Sequence, residues 1–409
     1  MTTFTREDWT LFRTLGTLSQ KAGVAADKLP RLVAKELADN ALDVAGAAEI
    51  GLLPDNGFFV ADRGDGIPGD DQAVADLFSI ARPLVSSKLL RLPSRGALGN
   101  GLRVVAGAVL ATDGKLAVAT NGRRLHLKPQ DDGSTAIVAV EPYERKGTRI
   151  DVYLGDALTV DDDALRWASD AAVYARGGED YKGKTSPHWY DADAFFELLQ
   201  AANSRPVRDI VADLDGCSGA KAGKIAQDFL GRSCDSMTRE EAEALLAIAR
   251  RSAKPVKARR LGRMGEDAFI ALTGDHTGTY AVGEGEIEIT SARGDLDATI
   301  PFVVEAFVSV NERGKSGDDI RLDIAVNKTP MTADARAMHR THQRKNYVVI
   351  FGAGLSHRVV DVGRIYLREI VLNIITPYMP ITSDGKAPDL MAFLPVIRET
   401  IPISSYNYI

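Results

Sequence analysis

The stretch from Lys35 to Asp43 reads KELADNALD, and it constrains the chain more tightly than any other. At a helical period Glu36, Asp39, Asn40 and Asp43 fall at i, i+3, i+4 and i+7, so three carboxylates and an amide share nearly one face. Leu32, Val33, Leu37 and Leu42 provide the packing side of the same helix. A helix with this many acids is ordinarily a solvated face. An asparagine flanked by carboxylates also suits a hard cation such as Mg2+, which takes a few oxygen ligands and keeps the rest for water and phosphate.

Two further signatures follow in order. GFFVADRGDGIPGDD is an apolar strand running into a Gly-rich turn, with Asp62, Gly64 and Gly66 at the strand end and Pro68 closing it. GALGNG, with Gly96, Gly99, Asn100 and Gly101, opens into the apolar run LRVVAGAVLAT. A fourth piece, KGT at Lys146 to Thr148, stands just before a strand. An aspartate at a strand end can accept from the amino group of a planar base, and glycines leave backbone N–H groups free to wrap phosphates. No Gly-Lys-Ser/Thr follows the glycines, which excludes a Walker A loop. Each signature alone is weak; in this order they describe a nucleotide site.

The remainder of the sequence sets the context. A length of 409 residues allows two or three domains, and 45% hydrophobic with 26% charged residues is the composition of an ordinary globular chain. The net charge of -6 names no partner, so any nucleic-acid contact must come from a local patch. Two cysteines and six scattered histidines give neither a disulfide framework nor a metal-ligand spacing. The N-terminus MTTFTREDWT lacks the basic and apolar regions of a signal peptide, and the longest apolar runs are too short to span a bilayer. A cytoplasmic protein with no membrane contact is expected.

Periodicity divides the chain into four parts. Residues 1–30 read as a short amphipathic arm. Residues 31–185 combine the helix above with alternating runs KLAVATNG, RRLHLKPQ, TAIVAVEP and TRIDVYLG, which predict antiparallel strands. Residues 186–265 are helical patterns, the last opened by Thr238 three residues before Glu241 at capping-box spacing. Residues 266–409 return to strand signals, TIPFVVEAFVSV and IRLDIAVNKTPM, followed by a helical pattern through DVGRIYLREIVLNII. The fold class expected is α+β.

ELADNALD, DRGDG and GALGNG resemble, in order, the N-box, the following box and the lid box of the GHKL ATPase superfamily, whose members include gyrase, histidine kinases and MutL. The resemblance implies an N-terminal Bergerat-type α/β sandwich that binds ATP and Mg2+. It makes Glu36 the general base, Asn40 the metal ligand, Asp62 the adenine reader, and Asp39 and Asp43 their support. Gly64 and Gly66 would border the base, Gly96, Gly99, Asn100 and Gly101 would form the lid, and Thr148 would match the Gly-Thr near adenine. Within the superfamily the chain is most similar to the B subunit of DNA topoisomerase VI. SSKLLRLPSRGALGNG singles out Lys88 and Arg95, the region with MTREEAEALL is similar to its helix-two-turns-helix insert, and IPFVVEAFVSV with VNKTPM resembles its α/β transducer domain. PYMPITSDGK resembles the transducer loop that delivers a switch lysine, which makes Lys386 catalytic by resemblance.

This resemblance implies an ATP-dependent homodimer acting on DNA. Beyond Lys386 the sequence APDLMAFLPVIRETIPISSYNYI is shorter than the helix with which that family grips its DNA-cleaving A subunit, and no toprim-like acidic cluster is found. Strand cleavage is therefore expected from a topoisomerase VI A-like partner. A stand-alone clamp or remodeller of the MutL or MORC kind is the alternative. The run ARRSAKPVKARRLGR, with Arg250, Arg251, Lys254, Lys257, Arg259, Arg260 and Arg263, is the candidate DNA-binding surface.

Overall fold

The computed structural model describes residues 7–82, 90–95, 100–291, 296–310, 319–343, 345–363, 365–382 and 387–402. A 3-10 turn at Asp8–Phe12 and helix α1 (Leu15–Ala22) precede α2 (Leu29–Ala45), which carries KELADNALD. Pro30 sits in the first turn of α2, where its missing N–H costs nothing, and the helix stops at Gly46, whose φ of +66° suits a residue without a side chain.

The chain then builds β1 (Glu49–Leu53), β2 (Gly57–Ala61), α3 (Asp71–Leu77), α4 (Gly101–Ala111), β3 (Lys115–Thr120), β4 (Arg123–Pro129), β5 (Thr135–Pro142) and β6 (Thr148–Tyr153). These strands form one antiparallel sheet in the order β1-β2-β6-β3-β4-β5. Helices α2 and α4 cover it, burying Val33, Leu37, Val105 and Val109 against Phe58, Val118 and Val152. The result is a two-layer sandwich. From the amphipathic stretch that precedes α2, Phe12 and Leu18 are fully buried in this core, where their apolar faces meet α4.

Helix α5 (Arg166–Ala175) and the two-residue strand β7 (Glu179–Asp180) lead to four helices, α6 (Ala192–Ala201), α7 (Val207–Ala212), α8 (Ala220–Ile225) and α9 (Arg239–Ser252). The capping box at Thr238 and Glu241 opens α9 as its spacing predicts. After β8 (Gly262–Arg263), which pairs with β7, come α10 (Glu266–Thr273), β9 (Thr279–Ile289), β10 (Ala298–Val310), β11 (Asp319–Val326), β12 (Thr329–Pro330), β13 (Arg336–His342), β14 (Lys345–Gly352), β15 (Leu355–Gly363), β16 (Leu367–Ile375) and α11 (Leu394–Thr400). β9 to β16 make an eight-stranded sheet in the order β15-β14-β13-β11-β16-β10-β9, with β12 beside β11. Among its described pairs β11 and β16 alone run parallel. The fold is α+β, as expected.

One helical expectation is overturned. DVGRIYLREIVLNII contains the end of β15 and all of β16. All but one residue of β16 are buried, so both faces are covered and the alternation of apolar and polar residues is lost; a short, mostly apolar run of this kind reads equally as helix or strand. Its β-branched Ile370, Val371, Ile374 and Ile375 favour the strand.

A fully buried carboxylate ties this second sheet to its surroundings. Glu305 on β10 accepts from the backbone N–H groups of Met264 (2.7 Å) and Gly265 (2.8 Å), from the Tyr280 hydroxyl (2.6 Å) and from the Asn373 amide (2.8 Å). Burial and the adjacent carboxylate push the Tyr280 hydroxyl well above its ordinary pKa, keeping it a donor. Glu305→Ala strands four donors, so a loss of about 3 kcal/mol or more is expected in urea denaturation; an unchanged midpoint would refute this role.

Candidate functional site

The polar face of α2 is divided by its surroundings. Asn40 and Asp43 are exposed, and the Glu36 side chain is 19% exposed. Asp39, only 1% exposed, turns inward. Its Oδ2 lies 2.8 Å from Lys35 Nζ, and its two oxygens take the Thr329 hydroxyl at 2.7 and 3.0 Å. Lys35 is itself buried and also reaches Glu36 Oε1 at 3.3 Å. Burial alone would lower the Lys35 pKa, but the carboxylates of Asp39 and Glu36 outweigh it and hold it above the ordinary lysine value. Asp39 therefore works as an interior strut beneath the exposed Asn40 and Asp43.

The second signature closes over the end of β2. Asp62 is buried, and its Oδ1 accepts from the N–H of Gly64 at 2.8 Å and of Thr148 at 3.2 Å, while its own N–H donates to the Thr148 carbonyl at 2.8 Å. These bonds fix the carboxylate where β2 and β6 run side by side. Glycine is required at two points. A Cβ on Gly147, at φ +86°, would stand 2.2 Å from the Asp62 carbonyl oxygen, and one on Gly66, at φ +83°, would stand 2.3 Å from Asn121 Oδ1. Val44 projects from the end of α2 beside Gly64 with 68% of its surface exposed, leaving an apolar wall next to Asp62.

The third signature brings the start of α4 against α2. A Cβ on Gly101 would lie 2.4 Å from Glu36 Oε2, so only glycine lets the helix start come this close to the carboxylate. Asn100, the residue before the first turn, gives no side-chain cap, and its Oδ1 is buried without a partner among the described residues. No acidic residue occupies the first turn of α4; the carboxylate that meets the positive end of its dipole is Glu36, from α2. Arg95 lies 3.4 Å from Asp43 Oδ1 and anchors the segment before this turn to α2. Lys88, Gly96, Gly99 and Lys386 lie outside the described residues.

Glu36, Asn100 and Gly101 also form one wall of a cavity of about 500 Å³ between α2, α4 and the eight-stranded sheet. Its far wall holds Asn327, Thr329 and Tyr378, and it does not reach Asp62 or Thr148. Sequence reading missed Lys35 and Thr329. Lys35 carried a signal, because a lysine four residues before an aspartate on a helix is a favourable pair. Thr329 carried none, being 290 residues from Asp39.

The basic run is less uniform than its sequence. Arg250 is half-buried and donates to the carbonyls of Pro187 and Tyr190. Arg260 lies 3.9 Å from Asp215 and Arg263 3.1 Å from Glu284. Arg251, Lys254, Lys257 and Arg259 are exposed. Among the described residues no helix is long and apolar enough to cross a membrane.

No family model matches the chain, and no curated relative matches it in sequence. Among solved structures it is similar to the N-terminal domain of a DNA repair protein, at 14% identity and a TM-score of 0.35 over 92% of this chain and 93% of that one. It is also similar to the ATPase region of Saccharomyces cerevisiae topoisomerase II, at 10% identity and a TM-score of 0.36 over 88% of this chain and 76% of that one. Likeness at this level is too slight to assign a role to any residue.

The close packing around Asp62 gives a direct test. Gly147→Ala is expected to cost about 2 kcal/mol or more in urea denaturation, from positive φ and the backbone collision together. Gly122→Ala, at φ +79° with nothing within 4 Å of the added carbon, is expected to cost about 1 kcal/mol from backbone strain alone. Equal losses would show that contact with Asp62 does not require this glycine.

Proposed function

We propose that this chain binds and hydrolyses ATP with a GHKL-type site built on α2, the end of β2 and the start of α4. The observation that carries the reading is a pair of chemically different places along α2. At one, the Asp62 carboxylate is held by Gly64 and Thr148 beside an apolar wall. At the other, Glu36 meets the start of α4, where Asn100 gives no side-chain cap and its buried amide oxygen has no partner among the described residues. The first suits a purine carrying an amino donor, and the second suits a polyphosphate.

The donor set fits Mg2+ as well. Asn40 would hold the ion, and bound Mg2+ would supply charge neutralisation for the phosphates. This chain's own groups do the rest. Asp62 and Thr148 orient the base, with Gly64 and Gly66 lying along it. The N–H groups at Gly101 and beyond grip the phosphates, together with the segment that contains Lys88, Gly96 and Gly99. Asp43 holds Arg95 in place. Glu36 takes the proton from the attacking water as general base, and Lys386 serves the terminal phosphate.

At a finer level, the reading is an ATPase subunit of topoisomerase VI B type. In it, a sandwich domain (31–185), a helical insert (186–265) and a transducer (266–409) would couple ATP-gated homodimerisation to DNA, with cleavage by an A-like partner. Arg251, Lys254, Lys257 and Arg259 are the exposed groups of the basic run that would track phosphates.

Glu36→Ala is expected to bind ATP normally while phosphate release falls at least about a hundredfold; hydrolysis at the wild-type rate would remove Glu36 from its role. Asp62→Asn is expected to weaken ATP binding about tenfold in calorimetric titration, since one acceptor for the base amino group becomes a donor; unchanged affinity would contradict the assignment.

A further inference from the structure

The turn between β11 and β12 links three separate elements. Asn327 and Lys328 both hold positive φ, 51° and 62°, the pattern of a tight two-residue hairpin turn. The sheet beneath fixes it: Asn327 Oδ1 accepts from Thr376 N at 2.9 Å, and Asn373 Oδ1 accepts from Lys328 N at 3.2 Å. Each turn residue then reaches outward. Asn327 donates to the Ser94 carbonyl at 3.2 Å, just before the lid signature. Lys328 Nζ contacts Asp180 at 2.6 Å and the Glu179 carbonyl at 3.0 Å. Thr329 donates its hydroxyl to the buried Asp39 carboxylate.

The last contact starts a continuous polar path that ends at the candidate base. Asp39 binds Lys35, and Lys35 binds Glu36, all on one helix, with Asp39 and Lys35 buried and Glu36 partly exposed at the end of the path. We propose that Thr329 is a positioning residue for Glu36, acting through Asp39 and Lys35, so that the placement of the eight-stranded sheet on α2 sets the rate of the hydrolytic step. The inference rests on the ATPase reading above.

The physical reason lies in how one ammonium is shared. Lys35 stands 2.8 Å from Asp39 and 3.3 Å from Glu36, so the Asp39 contact is already the stronger. A buried carboxylate needs its oxygens satisfied, and the Thr329 hydroxyl meets part of that demand. With the hydroxyl gone, the ammonium must answer for Asp39 alone and moves off Glu36. The Glu36 carboxylate then loses the group that orients it, and misplacement of a reacting group by a fraction of an ångström to an ångström slows chemistry steeply. Asp62, bonded to Gly64 and Thr148, does not share this path, so base binding stays intact.

The experiment compares steady-state ATP hydrolysis by the full chain and its Thr329→Val and Thr329→Ser forms, with melting temperatures recorded for each. Thr329→Val keeps the shape and removes the hydroxyl. Its kcat is expected to fall about tenfold or more with the KM for ATP changed less than about twofold, and Thr329→Ser is expected to restore kcat. A folded Thr329→Val protein with wild-type kcat overturns the inference, as does a Thr329→Ser protein as slow as Thr329→Val. If Thr329→Val does not fold, Thr329→Ala is read by the same criteria. Failure of the underlying reading looks different: the wild-type chain would bind no ATP, or Glu36→Ala would hydrolyse at the wild-type rate, and the inference would fall with it.

Discussion

One buried lysine ammonium between two carboxylates holds the centre of this molecule. Lys35 would be costly to bury alone, and Asp39 equally so. Together, four residues apart on α2, they neutralise each other, and Thr329 completes the shell from the second sheet. Removing any one partner leaves a charge or a polar atom stranded in the interior. The pair therefore fixes the rotation of α2 about its axis, and that rotation decides that Asn40 and Asp43 meet solvent while Glu36 meets the start of α4.

Much of the architecture was legible because period and punctuation agreed. KELADNALD lies on a helix, GFFVA on a strand, and the capping box at Thr238 opens its helix. The four alternating runs after Lys115 are antiparallel strands in one sheet. β16 was misread because burial on both faces removes alternation, leaving composition as the guide. The amphipathic pattern read over residues 1–30 does not say which surface covers its apolar side; for Phe12 and Leu18 that surface is α4.

The site was legible in its parts and hidden in its connections. Asp62, Gly64 and Thr148 meet as their order in the sequence suggested, since β2 and β6 are neighbours. Asp39 shares the polar face in sequence, but its burial against Thr329 could not be read there: helical spacing gives direction around an axis and nothing about what lies opposite. Arg250 was counted with its basic neighbours, and only the fold reveals the carbonyls that occupy it. Thr329 could not be found at all from sequence, because no local rule joins a residue of the second sheet to one on α2.

The central claim is that Asp62 and Glu36 mark the two ends of one adenine-nucleotide site. The most direct test is calorimetric titration of the full chain with ATP and with GTP in Mg2+. A carboxylate acceptor at Asp62 meets an amino donor on adenine and a carbonyl oxygen on guanine, so ATP is predicted to bind at least about tenfold more tightly than GTP. Equal affinity for the two nucleotides, or binding of neither, would contradict the account.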